Sequence, residues 1–285
     1  MDNPTRKLTD IGYIRELLDR HGFTFSKKLG QNFLINPSVC PRMAAASGAT
    51  AASGVLEIGP GFGVLTRELS AVAGRVVAVE LDERLPAVLA ETLAGCSNVA
   101  VVSGDCMQLD LAALIAERFG DMPVAVCANL PYYITSPIIM MLLESRLPVT
   151  SITVMVQKEA AQRLCATVGT RAAGAVTCAV AYYAEAERLF DVSRGSFMPA
   201  PNVDSAVIRL TVRREPPVQV ADERRMFRLI RAGFNQRRKT LANSLSAVAD
   251  KTAVAAALAA AGVAPTARAE ELTLADWARV SDALG

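Results

Sequence analysis

Residues 55–69 read VLEIGPGFGVLTREL. A run of apolar and β-branched residues ends in glycines at 59, 61 and 63, and a helix-forming stretch comes next. Glycine at such a junction lets the backbone turn sharply and approach a ligand with no Cβ in the way. Strand, glycine loop and helix together predict the opening unit of a ligand-binding α/β sheet.

The strand-then-helix pattern repeats along the chain. VVAVELD (76–82), VAVVSGD (99–105), VAVCANLP (124–131) and SITVMVQ (151–157) are strand-like, each trailed by a helical stretch; the helices after the first two strands are predicted to start near Phe62 and Glu83. Strands continuous in apolar residues, separated by helices, describe a parallel sheet covered on both faces. Next, AVAYYAEAERLF and VDSAVIRLTV read as consecutive strands, an antiparallel end to the sheet. REPPVQVAD (214–222) reads as a linker, because its proline pair ends strand character. From Glu223 the pattern is helical to the end. The predicted fold is a Rossmann-like α/β domain over 1–215 with a small helical domain over 216–285.

Composition narrows the chemistry. The chain has 285 residues and a single histidine, His21, at the end of the helical IGYIRELLDRH. Multi-histidine metal sites are excluded, and a His at a helix C-terminus is ordinary. Six cysteines are scattered without a CxxC pair, which suits free thiols in a reducing cytoplasm and no metal site. MDNPTRKLTD lacks a signal-peptide pattern, and the longest Ala-rich run, AVAAALAAAGVA (253–264), is too short to span a bilayer. Net charge is +2, unevenly spread: residues 32–208 carry 11 basic and 16 acidic groups, residues 209–285 carry 13 and 8. Basic charge at the ends of the chain is what a polyanion partner requires.

The strand ends carry the site. The glycines 59, 61 and 63 come too close together for the dinucleotide spacing G-x-G-x-x-G, and the acid Glu57 before them suits an amino-acid ligand better than a pyrophosphate. Glu80 closes the second strand, where a carboxylate can accept both ribose hydroxyls. Its alternative reading, a helix N-terminal charge, is already served by Asp82 and Glu83. Asp105 adds an acceptor for an adenine amine. Together these acids describe a pocket for an adenosine with an amino-acid tail. If the ligand is S-adenosylmethionine, Asn129 to Tyr132 of NLPYYI (129–134) lies where its methyl group would be offered to an acceptor. An adenine amine is a poor nucleophile because its lone pair is delocalised into the ring. Acceptors aimed at its N–H bonds, the Asn129 side-chain oxygen and a carbonyl near Leu130, would favour a pyramidal nitrogen. Pro131 stiffens the turn and Tyr132 offers a face for the base.

In order along the chain, KKLGQNFLIN (27–36), EIGPGFGVLT, VVAVELD, SGD, NLPYYI and FMPAPNVDSAVI (197–208) resemble the motifs of the KsgA/RsmA family of small-subunit rRNA adenine dimethyltransferases. FNQRRKTLANSL (234–245) and RAEEL (268–272) extend the resemblance over nearly the whole chain. It implies dimethylation, with S-adenosylmethionine, of two adjacent adenines in a hairpin loop near the 3′ end of small-subunit rRNA, on an assembling ribosomal particle. A cytoplasmic location follows from the thiols, and a monomer is the expected state. By the same resemblance Asn32 and Leu34 join Gly59, Gly61, Glu80, Asp105 and Asn129 at the cofactor, and Phe197 is the second aromatic around a flipped adenine. The family's glycine-loop acid is present as Glu57. Three rivals stand beside it: the related large-subunit adenine methyltransferases of antibiotic resistance, a non-catalytic RNA-binding assembly factor, and an NAD-dependent enzyme.

The C-terminal third reads as an RNA grip. On one helix, Phe227, Ile230, Phe234 and Leu241 would share a stripe, and Arg224, Arg228, Arg231 and Arg238 another. Residues 209–241 hold ten basic groups against three acidic ones. Arg228, Arg231, Arg237, Arg238 and Lys239 are the candidate phosphate contacts, against the alternative of a solvated helix face.

Overall fold

The computed structural model describes residues 8–24, 26 and 30–285; the chain start, Phe25, and Lys27 to Leu29 of the KKLGQNFLIN motif lie outside the described residues. Helix α1 (Ile11–Arg20) is capped by Asp10, whose side chain accepts from the Tyr13 N–H at 2.9 Å. Strand β1 (Phe33–Leu34) and helix α2 (Val39–Ala46) come after it. The regular alternation then begins: β2 (Gly54–Ile58), α3 (Val64–Val72), β3 (Arg75–Glu80), α4 (Leu85–Thr92), β4 (Val99–Ser103), α5 (Leu111–Phe119), β5 (Val124–Asn129), α6 (Thr135–Glu144), β6 (Val149–Gln157) and α7 (Lys158–Leu164).

Next come α8 (Ala175–Tyr183), β7 (Ala184–Val192), the two-residue β8 (Phe197–Met198) and β9 (Ser205–Val212). The seven-stranded sheet has the order β4-β3-β2-β5-β6-β9-β7. Strands β2 to β6 pair in parallel, and β9 runs antiparallel to β6. Val55, Leu56, Val76, Val77, Val126 and Val154 are wholly buried, as strands covered on both faces require. Each such side chain contributes roughly 1.5–3 kcal/mol. Because the chain lays β3 and β4 on one side of β2 and β5 and β6 on the other, the order reverses between β2 and β5. A crevice opens beyond the strand ends at such a point.

The chain divides into two compact units. The first runs to Ala161 and adds Glu187–Val212; the second comprises Gln162–Ala186 and Arg213–Gly285. The expected single boundary at 215/216 is therefore corrected: Gln162–Ala186 clusters with the C-terminal helices. The cause is visible in α8. The hydroxyls of Tyr182 and Tyr183 both reach the Glu223 carboxylate, and the Tyr183 ring stacks on Phe227 at 5.6 Å between centroids. The same contacts correct the reading of AVAYYAEAERLF as one strand, since its first half is the end of α8.

The second unit continues with α9 (Glu223–Asn235), α10 (Leu241–Leu245), α11 (Lys251–Ala260) and α12 (Leu274–Ala283). In α9, Phe227 and Ile230 are buried while Arg224, Arg228 and Arg231 are exposed. The long stripe is interrupted, however. Helix α9 ends at Asn235, so Arg238 sits in the turn and Leu241 starts α10, its N–H donating to the Ala267 carbonyl at 2.7 Å.

Candidate active site

The crevice between β2 and β5 is a cleft enclosing about 1120 Å³ of non-protein space, part of it open solvent. On the β2 side, Gly59 has φ +69°, and a Cβ added there would meet no atom within 4 Å. The space in front of this backbone is a cradle that any side chain would fill. Gly61, at φ +59°, serves differently: a Cβ would fall 2.8 Å from the Phe33 ring, and its N–H donates to Glu80 Oε2 at 3.2 Å.

Glu80 ends β3 and is 6% exposed. Its other oxygen, Oε1, accepts from the Asp82 N–H at 2.8 Å. Burial raises this carboxyl above its ordinary range, and the two N–H donors pull it back. Both oxygens are fixed in place and keep lone pairs for further donors. Asp82, read from sequence only as a helix-start charge, is a buried hub: Arg84 and Gln31 both bond it, the latter at 2.8 Å. Arg84 holds it below the usual carboxylate range. Arg84 also donates to the Thr24 carbonyl and lies over the Phe23 ring. This latch ties the segment before β1 to the rim of the cleft.

Glu57, within β2, is 1% exposed, and its Oε2 has no hydrogen-bond partner among the described residues. Burial pushes the carboxyl up to about 8, with the Glu80 charge adding a little. Thr66 beside it eases that shift, but its Oγ1 makes no hydrogen bond of ordinary geometry. Cys127, the register neighbour of Glu57 on β5, has its thiol raised by burial and then by the Glu57 charge. An orphaned buried acid lining a cleft is an acceptor suited to a cationic donor. Asp105 comes after β4; its oxygens accept from the Met107 N–H at 2.9 Å and from Gln108 at 3.1 Å.

Opposite lies Asn129, the last residue of β5. Its Nδ2 donates to the Asn32 carbonyl at 3.3 Å. A carbonyl can only accept, so the amide nitrogen must face Asn32 and Oδ1 is turned the other way. Asn32 itself is held by donating to the Gly30 carbonyl at 3.0 Å. Leu130, Pro131 and Tyr132 line the cleft with Asn32 and Leu34. The Pro131 carbonyl closes the turn, accepting from the Ile134 N–H at 3.2 Å and the Thr135 hydroxyl at 3.1 Å.

Phe197 is not brought to this cleft. It is 3% exposed, packed with Leu34, Val39, Val192 and Val207. Strand β8 pairs with β1, Phe197 opposite Leu34, and successive side chains on a strand face opposite ways. Phe197 therefore enters the core while Met198 turns toward the Phe33 cluster. His21 pairs with Glu91 at 2.8 Å, away from the cleft.

In the second unit, Arg171, Arg237, Arg238, Arg268 and Glu270 line a shallow depression. Arg237 donates to both the Glu270 carboxylate and the Arg171 carbonyl. Lys239 is exposed in the same turn, and Arg228 and Arg231 on α9. Sequence reasoning missed Arg171, which has no motif around it, and Gln31, whose bond to Asp82 spans 51 positions.

A family model described as "Ribosomal RNA adenine dimethylase" matches residues 22–285. The chain belongs to this family. A relative from Geobacillus thermodenitrificans, "Ribosomal RNA small subunit methyltransferase A", is 48% identical over 96% of this chain and 95% of its own. The protein of that name from Streptococcus mutans is 44% identical over 98% of both chains. Among solved structures, a dimethyladenosine transferase from Plasmodium falciparum superposes with TM-score 0.73 at 26% identity, covering 87% of this chain and 95% of that one. The 23S rRNA methyltransferase ErmE gives 0.67 at 31%, covering 89% and 99%. A dimethylase needs a cofactor cleft beside an acceptor site, and the strand-end acids and the Asn129 turn face one another across a single crevice. The Rossmann-like architecture expected from sequence is the one observed.

Proposed function

We propose that the chain is an S-adenosylmethionine-dependent enzyme that dimethylates two adjacent adenines in a hairpin loop near the 3′ end of small-subunit rRNA, on an assembling ribosomal particle in the cytoplasm. The observation that carries the chemistry is the Asn129 amide, oriented by the Asn32 carbonyl so that its oxygen turns away from that bond. Identity of 48% to a small-subunit enzyme against 31% to the 23S enzyme favours the small subunit.

The residues fit the cofactor. Glu80 would take the ribose hydroxyls, Asp105 the adenine amine, the open backbone at Gly59 the amino-acid tail, and the orphaned Glu57 carboxylate its ammonium. When bound, S-adenosylmethionine supplies an electrophilic methyl group on a sulfonium. The rest is done by the chain. Asn129 Oδ1 accepts from one N–H of the target amine and a backbone carbonyl near Leu130 from the other, drawing the lone pair out of the ring. Tyr132 stacks the extruded base, which must leave its own stack to be reached. The amine sheds its proton after alkylation, when it is acidic, so no histidine is required. Arg228, Arg231, Arg237, Arg238 and Lys239 would hold RNA phosphates elsewhere.

The test is transfer of tritiated methyl groups to small subunits lacking the modification, with the label then mapped. Two adjacent labelled adenines near the 3′ end are expected. Small subunits left unlabelled, or label mapped to other nucleotides, would overturn the assignment.

A further inference from the structure

Tyr132 lines the cleft, yet its hydroxyl reaches away from it. The Tyr132 Oη lies 2.5 Å from Oγ of Ser205, the first residue of β9. Ser205 is wholly buried. Its register partner is Gln157, the last residue of β6, and β6 is the parallel neighbour of β5, whose last residue is Asn129. The loop after β5 is thus tied across the end of β6 to a strand that arrives more than seventy residues later in the chain.

The bond is mutual. A buried hydroxyl without a partner carries a desolvation penalty, and Ser205 Oγ has no other hydrogen-bond partner among the described residues. Ser205 begins the strand SAVIRLTV, whose next three residues are buried and apolar. An alanine would satisfy packing there. The serine hydroxyl has a use only toward Tyr132. On the tyrosine side, the phenolic oxygen lies on the long axis of the ring, so anchoring it fixes where that axis points. The backbone at the other end is already held by the Pro131 turn.

We infer that Ser205 is a positioning residue for methyl transfer: its hydroxyl aims the Tyr132 ring so that a stacked adenine presents its amine to Asn129. The inference rests on the proposed role of Tyr132 as the platform for the base. Losing the bond leaves the stacking surface intact and loosens its direction. The defect belongs in the rate of transfer, with binding of particle and cofactor preserved.

The experiment is single-turnover methyl transfer at saturating S-adenosylmethionine and small subunits lacking the modification. Wild type, Ser205→Ala, Tyr132→Phe and the double variant are compared, with melting temperatures and dissociation constants for cofactor and particle. Each single variant should lose between about tenfold and a hundredfold in rate, the scale for a reacting group misplaced by around an ångström. The double variant should be no slower than the slower single one, because both report the same bond. Ser205→Thr, which keeps the hydroxyl, should recover rate. A wild-type rate in Ser205→Ala, or two losses that simply multiply, would overturn the inference. If Ser205→Ala does not fold, Tyr132→Phe decides, since it keeps the ring and removes only the bond; an unchanged rate there overturns it too. Wild-type protein that transfers no methyl group to small subunits would instead refute the functional reading, and this inference with it.

Discussion

Glu57 and Glu80 in the cleft are 1% and 6% exposed, whereas Arg228, Arg237, Arg238, Arg268 and Lys239 in the second unit lie open to solvent. The acids are fixed near strand ends and shielded from water, so a hydrogen bond or ion pair formed there acts at close range and salt screens it little. The cations sit on a helix surface and in turns, where any one pair is worth little and salt screens it readily. A small ligand of defined shape suits the first arrangement. A polyanion held by many weak interactions suits the second. On the roles proposed above, the difference teaches that recognition of cofactor and of RNA can be perturbed separately.

The strongest attempt to break that separation is Asn129→Ala. Turnover at saturating cofactor should fall by roughly a hundred- to thousandfold, the loss typical of one preorganised polar group, with particle binding little changed. Near-normal single-turnover transfer would make the residue a structural cap. Next, Glu80→Ala should weaken S-adenosylmethionine binding by about 1.5–3 kcal/mol, the scale for a hydrogen bond to a charged group. Titration calorimetry checks it, and particle affinity in the same variant should not move.

Neutralising Arg237, Arg238 and Lys239 together is the converse. Cofactor affinity should stay as it is while particle affinity drops. The slope of log affinity against log salt should flatten by roughly 0.7–0.9 for each phosphate that is no longer neutralised. An unchanged slope would return these residues to a plain solvated surface.

The smallest effect concerns Glu57, whose carboxyl is raised from 4.5 to about 8. Between these values the folded protein holds a proton that the unfolded chain releases. Its contribution to stability is therefore full below about pH 4.5 and lost as pH rises through about 8. Melting of the cofactor-free protein should show this loss, and Glu57→Gln should not. Neighbouring Glu80, Cys40 and Cys127 all bear on the site, so the comparison with Gln is the control. A cofactor ammonium would favour the carboxylate. Binding near pH 7 should then release up to one proton, seen as a heat that depends on the buffer. Buffer-independent heats would place the ammonium elsewhere.

What could be read from the sequence was local. The glycine loop, the acids at strand ends and the Asn129 turn each announce themselves within ten residues, because strand period and turn chemistry are short-range properties. What could not be read was set by distant partners. Ala-rich AVAYY is helical by propensity, but its twin tyrosines look like a strand until Glu223 and Phe227 are seen to receive them. Phe197 turns inward because β8 pairs with β1, a pairing of two residues that no periodicity foretells. The Gln31–Asp82–Arg84 latch and the Tyr132–Ser205 bond join segments far apart in the chain, and neither leaves a pattern in either segment. The break after Asn235 lacks the usual glycine or proline signal.

The position of β9 has a consequence for how the molecule is made. It is the last strand synthesised, yet it lies inside the sheet, between β6 and β7. Until it emerges, β6 is an open edge, its backbone groups unpaired and available to any other strand. Strand β7, though already translated, has no neighbour in the sheet to join. A nascent chain released before Ser205 would carry a nearly complete cofactor cleft and a sticky flank. Insertion of β9 closes that flank and brings the hydroxyl to Tyr132 in one event. Completion of the sheet and formation of the Tyr132–Ser205 bond are thereby a single step.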